Sequence, residues 1–173
     1  MNLDALVDFT NSAVEEIAKH TIGFTLTPDR LRAEEYGIAA LNWSSIPYGE
    51  AGIENVPDDR RGIYAFVVCR ENGVLPPHHY VMYIGIAGRR SERALRDRYR
   101  DYLNEKKVVK RPRIARMIGT WHSVLCFYFA AVDNEVTSEQ LENLEKALNN
   151  ALMPPCSEGD LEAELKQKRR AFR

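Results

Sequence analysis

The sequence predicts an α+β domain: a small, mostly antiparallel three-stranded sheet flanked by helices, with a helical extension at the N-terminus. Three observations predict it. Gly62 to Cys69 and Tyr80 to Ile86 are two short runs rich in aromatic and β-branched residues, close together in the chain. Ser123 to Val132 is a third run, almost continuously apolar, as befits a central strand. Around these runs the apolar residues recur at helical spacing instead.

From the N-terminus, Leu3, Leu6, Thr10, Val14 and Ile17 form one stripe with acids on the other side, so an amphipathic helix is expected from residue 3 to near His20. Thr27-Pro28-Asp29 is a helix start with proline at the first position, and Leu31 to Ala40 should continue it. Glycines, prolines and acids from Pro47 to Asp59 predict a loop, which places an N-terminal helical extension at 1–56 and a core at 57–157. The first two strands should pair antiparallel. Glu71-Asn72-Gly73 supplies a turn between them, and Pro76-Pro77-His78-His79 lengthens it. Ser91 to Leu103 should be helical through Leu95, Tyr99, Tyr102 and Leu103, and Pro112 separates it from a shorter helix at Arg113 to Ile118. Thr137-Ser138-Glu139-Gln140 is a capping box opening a helix to about Leu152, which Pro154-Pro155 ends. Residues 158–173 form a charged C-terminal stretch, helical from Leu161 to Arg173.

With 173 residues and 45% hydrophobic content the chain can bury a core of its own. It has no apolar run of the roughly 18 to 20 residues that spans a bilayer, and its start lacks a basic flank and apolar signal core, so a cytoplasmic protein without a membrane partner is expected. Cys69, Cys126 and Cys156 are odd in number and lack metal-type spacing, which predicts reduced thiols and no zinc. The net charge of −1 hides an asymmetry: residues 1–60 carry four basic and eleven acidic side chains, residues 86–116 twelve basic and four acidic. The middle segment is therefore the candidate anion-binding surface, with a merely solvated helix face as the alternative. The acidic N-terminal helices could fold over it and compete with a polyanion.

Two positions stand out chemically. Leu141, Leu148 and Leu152 lie on one stripe of the last long helix, and Glu145 falls on that stripe where a leucine is expected. An ionised carboxylate there costs several kcal/mol unless a metal ion or an arginine compensates it. On the preceding arginine-rich helix, Arg98 and Tyr102 are four apart and flank the Leu95–Tyr99 stripe, so Arg98 is edge-facing and suited to reach a phosphate. The alternative is an arginine snorkelling from the core edge. His78-His79 lacks a third ligand at fixed spacing, and Trp43 and Trp121 suit packing more than base stacking.

Gly62-Ile63-Tyr64 on the first strand and Tyr83-Ile84-Gly85 on the second, in this order on adjacent strands, resemble the paired signature of GIY-YIG nucleases. The run from Leu95 to Leu103 is similar to the family's arginine helix, and Glu145, followed nine residues later by Pro154, is similar to its metal-binding glutamate and helix-ending proline. The resemblance covers about residues 61 to 157. It implies a metal-dependent endonuclease: Tyr64 helping to activate water, Tyr83 positioning water or phosphate, Arg98 stabilising charge on phosphorus, Tyr102 completing the site by hydrogen bonding, and Glu145 holding one Mg2+ or Mn2+. Gly85, Arg89, Arg90, Arg93, Arg96, Arg100, Lys110, Arg111, Arg113 and Ser157 are the candidate substrate-binding residues. Ser157 stands where many members have asparagine, and the eighteen residues between Tyr64 and Tyr83 exceed the usual connection. DNA is the expected partner, with RNA left open and monomer and homodimer not distinguished. A catalytically silent nucleic-acid-binding module and a protein-interaction module through the acidic residues 1 to 60 are the alternatives.

Overall fold

A computed structural model describes residues 3–25, 28–32, 41–69, 78–89, 91, 93–157, 163 and 167. The expected turn at 71–77, the continuation of the second helix over 33–40, Arg90 and nearly all of the C-terminal stretch lie outside the described residues. The architecture is α+β: a four-stranded antiparallel sheet with helices on both faces. The elements are α1 (Leu3–His20), α2 (Pro28–Leu31), β1 (Ser44–Pro47), β2 (Gly62–Cys69), β3 (His79–Ala87), α3 (Leu95–Leu103), α4 (Glu105–Val108), α5 (Pro112–Trp121), β4 (Leu125–Ala131) and α6 (Ser138–Leu152). No helix among the described residues is long and apolar enough to cross a membrane.

The sheet order is β1-β4-β2-β3, so the three expected strands are joined by a fourth from the segment assigned to a helical extension. Ser44 to Pro47 pairs with Phe129 to Cys126, and Ile46 is its one buried residue. Two serines and a proline hide such a strand from any periodicity. Proline is tolerated because β1 lies at the sheet edge, where one missing N–H breaks no ladder.

The β2 sequence alternates between two cores. Tyr64 and Phe66 pack with Tyr83, Leu95, Tyr99, Tyr102, Ile114, Met117 and Phe127 on the face covered by α3 and α5. Ile63, Ala65 and Val67 pack with Ile84, Ile86, Leu141 and Leu144 on the face covered by α6. The core on the α3 and α5 face is rich in aromatic rings, with Tyr99 stacked on Phe127 at 4.3 Å between centroids and Phe66 edge-on to Tyr102 at 4.7 Å. The register of β2 and β3 shifts between Phe66 and Val67, where Phe66 faces Tyr83 but Val67 faces Val81. This bulge leaves Met82 as the extra residue beside Tyr83 and bends the edge strand there.

Helix α3 begins at Leu95, four residues later than expected, because Ala94 is extended. Its first N–H groups are satisfied by backbone instead of a side-chain cap: Leu95 donates to the Arg60 carbonyl and Arg96 to the Pro57 carbonyl, each at 2.9 Å. Helix α6 has the expected bounds. Thr137 Oγ1 accepts from the Gln140 N–H at 3.2 Å, Gln140 Oε1 accepts from the Thr137 N–H at 2.8 Å, and Met153 ends the helix in the left-handed region at φ 42°.

The two signature glycines have steric causes. A Cβ on Gly62 would run into the Ala130 carbonyl of the neighbouring strand. One on Gly85 would lie 2.5 Å from the Tyr64 hydroxyl oxygen and 2.7 Å from its Cζ. Tyr64 is fully buried and hydrogen-bonded, so it cannot yield. Gly85→Ala is expected to cost about 1–3 kcal/mol, lowering the melting temperature by about 2–4 °C per kcal/mol, and an unchanged melt would refute this packing.

Candidate functional site

Because β3 is an edge strand, side chains from both layers can meet around it. A pocket of about 900 Å³ opens there, lined by Tyr83 and Ile86 of β3, Arg89 and Arg93 of the following turn, Arg98 of α3, Arg111, Arg113 and Ile114 at the start of α5, and Glu145 of α6. Gly88, at φ +87°, turns the chain out of β3 and delivers Arg89 to this mouth. Elements far apart in the chain, from Tyr83 to Glu145, thus bring a phenol, several guanidinium groups and a carboxylate to one cavity.

Glu145 is 5% exposed, and Arg89 Nη2 is ion-paired to its Oε2. Arg98 is partly buried. Its Nε donates to Tyr64 Oη at 2.9 Å, its Nη1 lies 3.5 Å from Asp101 Oδ2, and its guanidinium carbon is 5.5 Å from the Tyr102 ring centroid. Tyr64 and Tyr102 share a hydrogen bond of 2.7 Å between their hydroxyls. Burial pushes the Tyr64 phenol well above its ordinary pKa, reinforced by Tyr102 and Tyr83 and only partly offset by Arg98. Burial also opposes the charge on Arg98 and Arg111, but the surrounding phenols outweigh it and hold both above the ordinary arginine value.

Among the sequence candidates, Tyr83, Arg98, Glu145, Arg89, Arg93, Arg111 and Arg113 line the pocket. Tyr64 and Tyr102 stand behind its wall, 0% and 1% exposed. Gly85 is buried under the Tyr64 ring and offers no surface to a ligand. Ser157 Oγ accepts from the Ile84 N–H at 3.0 Å, which ties the chain after α6 to β3. Arg96 is turned away to the Val56 and Glu54 carbonyls and Asp58, at 2.6–2.8 Å, and Arg100 pairs with Asp97 on an exposed face. Lys110 is exposed and outside the pocket lining.

Asp101 is a participant that the sequence reading missed. It is 9% exposed and accepts from Arg93 Nη2 at 2.7 Å and Lys107 Nζ at 2.5 Å. Burial alone would raise its pKa, but these two hydrogen bonds overcome it and the net shift is downward. It therefore remains an anion that holds Arg93 and Arg98 at the pocket wall. Its one sequence signal is the i, i+3 spacing from Arg98, lost among neighbouring alternating charges.

Among the described residues no group of three or more His, Cys, Asp or Glu could cage a metal ion. A single buried carboxylate beside an open cavity fits a hard cation that keeps most of its ligands as water and substrate oxygen, as Mg2+ does.

The buried phenols set an alkaline limit. Tyr99 is raised to about 12, chiefly by burial, and Tyr64 is raised as well. An acid raised in the folded state ionises first in the unfolded chain, so its contribution is complete below about pH 10 and declines above it. Thermal melts between pH 8 and 11 should be flat to about pH 10 and fall thereafter; a flat profile throughout would contradict this burial.

Comparison of the chain with models of known protein families, with curated proteins and with solved structures returned no significant match.

Proposed function

We propose that this chain is a GIY-YIG-type endonuclease that hydrolyses DNA phosphodiester bonds in the pocket at the β3 edge. The observation that carries the reading is the convergence of Tyr83, Arg98 and Glu145 on one arginine-walled cavity, from three elements far apart in the chain. Water adds to phosphorus, one P–O bond breaks, and a phosphomonoester and a hydroxyl result. Tyr83 is the phenol that reaches the cavity, so it orients the water. Tyr64 stays neutral in the wall, where its oxygen fixes Arg98. Arg98 binds the phosphoryl oxygens as negative charge grows on them, and Asp101 keeps that guanidinium in place. Glu145 would hold one Mg2+ or Mn2+, which supplies Lewis-acid stabilisation and a more acidic water. Arg89, Arg93 and Arg113 extend the positive wall along the flanking backbone.

One observation favours a second reading, a nucleic-acid-binding module without turnover: Arg89 already compensates Glu145. Metal binding separates the two. If Glu145 is a metal ligand, Arg89 competes with the cation. The Arg89 side chain is half-exposed, so solvent weakens the pair to about 1 kcal/mol and Arg89→Met should tighten Mn2+ binding about five-fold by calorimetry. Binding equal in wild type, Arg89→Met and Glu145→Gln would sink the metal site and favour the second reading.

A further inference from the structure

Arg111 lies in the basic segment but outside the signature tripeptides, the arginine helix and the glutamate. Its backbone is fixed from both sides: its N–H donates to the Val108 carbonyl and its carbonyl accepts from the Ala115 N–H, each at 2.9 Å, with Pro112 opening α5 immediately after it. The side chain is fixed as well. Its Nη2 donates to Tyr83 Oη at 3.0 Å, and its guanidinium carbon lies 5.4 Å from the Tyr83 ring centroid and 5.0 Å from that of Tyr102.

Arg98 packs against the same Tyr102 ring, so two cations share one aromatic platform at the pocket wall. Their charges are unequally compensated. Arg98 has Asp101 at 3.5 Å, whereas Arg111 has no carboxylate within 4 Å among the described residues. Holding two like charges on one ring is unfavourable unless an anion lies between them or water screens them. Arg111 is half-buried, which limits screening, and one of its faces is taken by aromatic rings.

We infer that Arg98 and Arg111 form a two-guanidinium clamp for one phosphoryl group, built on Tyr83 and Tyr102, and that Arg111 binds the phosphoryl oxygens directly and without a metal ion. The assignment of that group as the scissile phosphate rests on the nuclease reading; the anion site itself does not. Because Arg111 also bonds Tyr83 Oη, a bound phosphoryl group and the phenol are set in one geometry by one side chain. The clamp depends on planar, multiply donating guanidinium groups, which an ammonium replaces only in part.

The test is orthophosphate binding in the presence of chelator, followed by 31P NMR or calorimetry, for wild type, Arg111→Met, Arg111→Lys and Lys106→Met. Lys106 is exposed on α4 and outside the pocket, so its variant measures the effect of net charge alone. Arg111→Met should weaken binding about ten-fold or more, Arg111→Lys about three-fold, and Lys106→Met less than two-fold. Thermal melts of all four proteins establish that they are folded, and the lysine variant carries the test if the methionine variant is not. Loss in either Arg111 variant no greater than in Lys106→Met, or no orthophosphate binding by wild type, would overturn the clamp. Arg111-dependent binding in a protein that never cleaves DNA would support the clamp while the nuclease reading fails.

Discussion

Arg98→Lys is expected to lower the rate of DNA cleavage by about 10²–10³-fold, the usual cost of removing one preorganised donor from a developing oxyanion. Lysine retains the charge but loses the Nε bond to Tyr64 and the planar fork that bonds two oxygens at once. Its ammonium also reproduces only part of the contact with the Tyr102 ring, because it lacks the planar guanidinium. DNA retention should fall much less, since the wall still carries Arg89, Arg93, Arg111 and Arg113. Cleavage within a few-fold of wild type would remove Arg98 from the chemistry.

The second large effect is expected from Glu145→Gln. The amide keeps the size of the side chain but loses its charge, so it holds a divalent cation far more weakly, and it removes the Arg89–Glu145 ion pair. Metal-dependent cleavage should fall by about three orders of magnitude or to background, a loss of about 4 kcal/mol in transition-state stabilisation. Retention of DNA should hold or rise slightly, because one negative charge has left an arginine-rich cavity. Reduced retention together with reduced cleavage would point instead to a structural defect.

The parts of the fold that could be read from the sequence are those whose signals are local. Helix α6 is legible at both ends because its capping box and terminal prolines are chemical stops. The β2, β3 and β4 strands are legible because each is a mostly apolar run rich in aromatic residues and free of Asp, Glu, Lys and Arg. Strand β1 is not, because its place depends on pairing with Phe129 to Cys126, eighty residues away. Glu145 could be singled out as a carboxylate on a leucine stripe, and the structure finds it buried at the pocket.

The division of labour between Tyr64 and Tyr83 could not be read in the same way. Both are buried strand aromatics, and the strand order, with β2 inside and β3 at the edge, decides which phenol lines the pocket. Asp101, and the seating of Arg111 on Tyr83 and Tyr102, escape notice for a related reason. Their partners, Arg93, Lys107, Tyr83 and Tyr102, are gathered by the fold-back of residues 104–112, which no local pattern announces. Arg96 and Arg100, equally basic in the sequence, are turned away by the helical phase and bound to carbonyls and acids.

The most direct test of the account is cleavage of supercoiled plasmid by the wild-type chain with Mg2+ or Mn2+, beside a chelator control and Glu145→Gln in the same series. Nicked or linear product is expected with metal, and none with chelator or with the variant. Cleavage that persists in Glu145→Gln, or salt-sensitive retention of plasmid with no product under any metal, would contradict it.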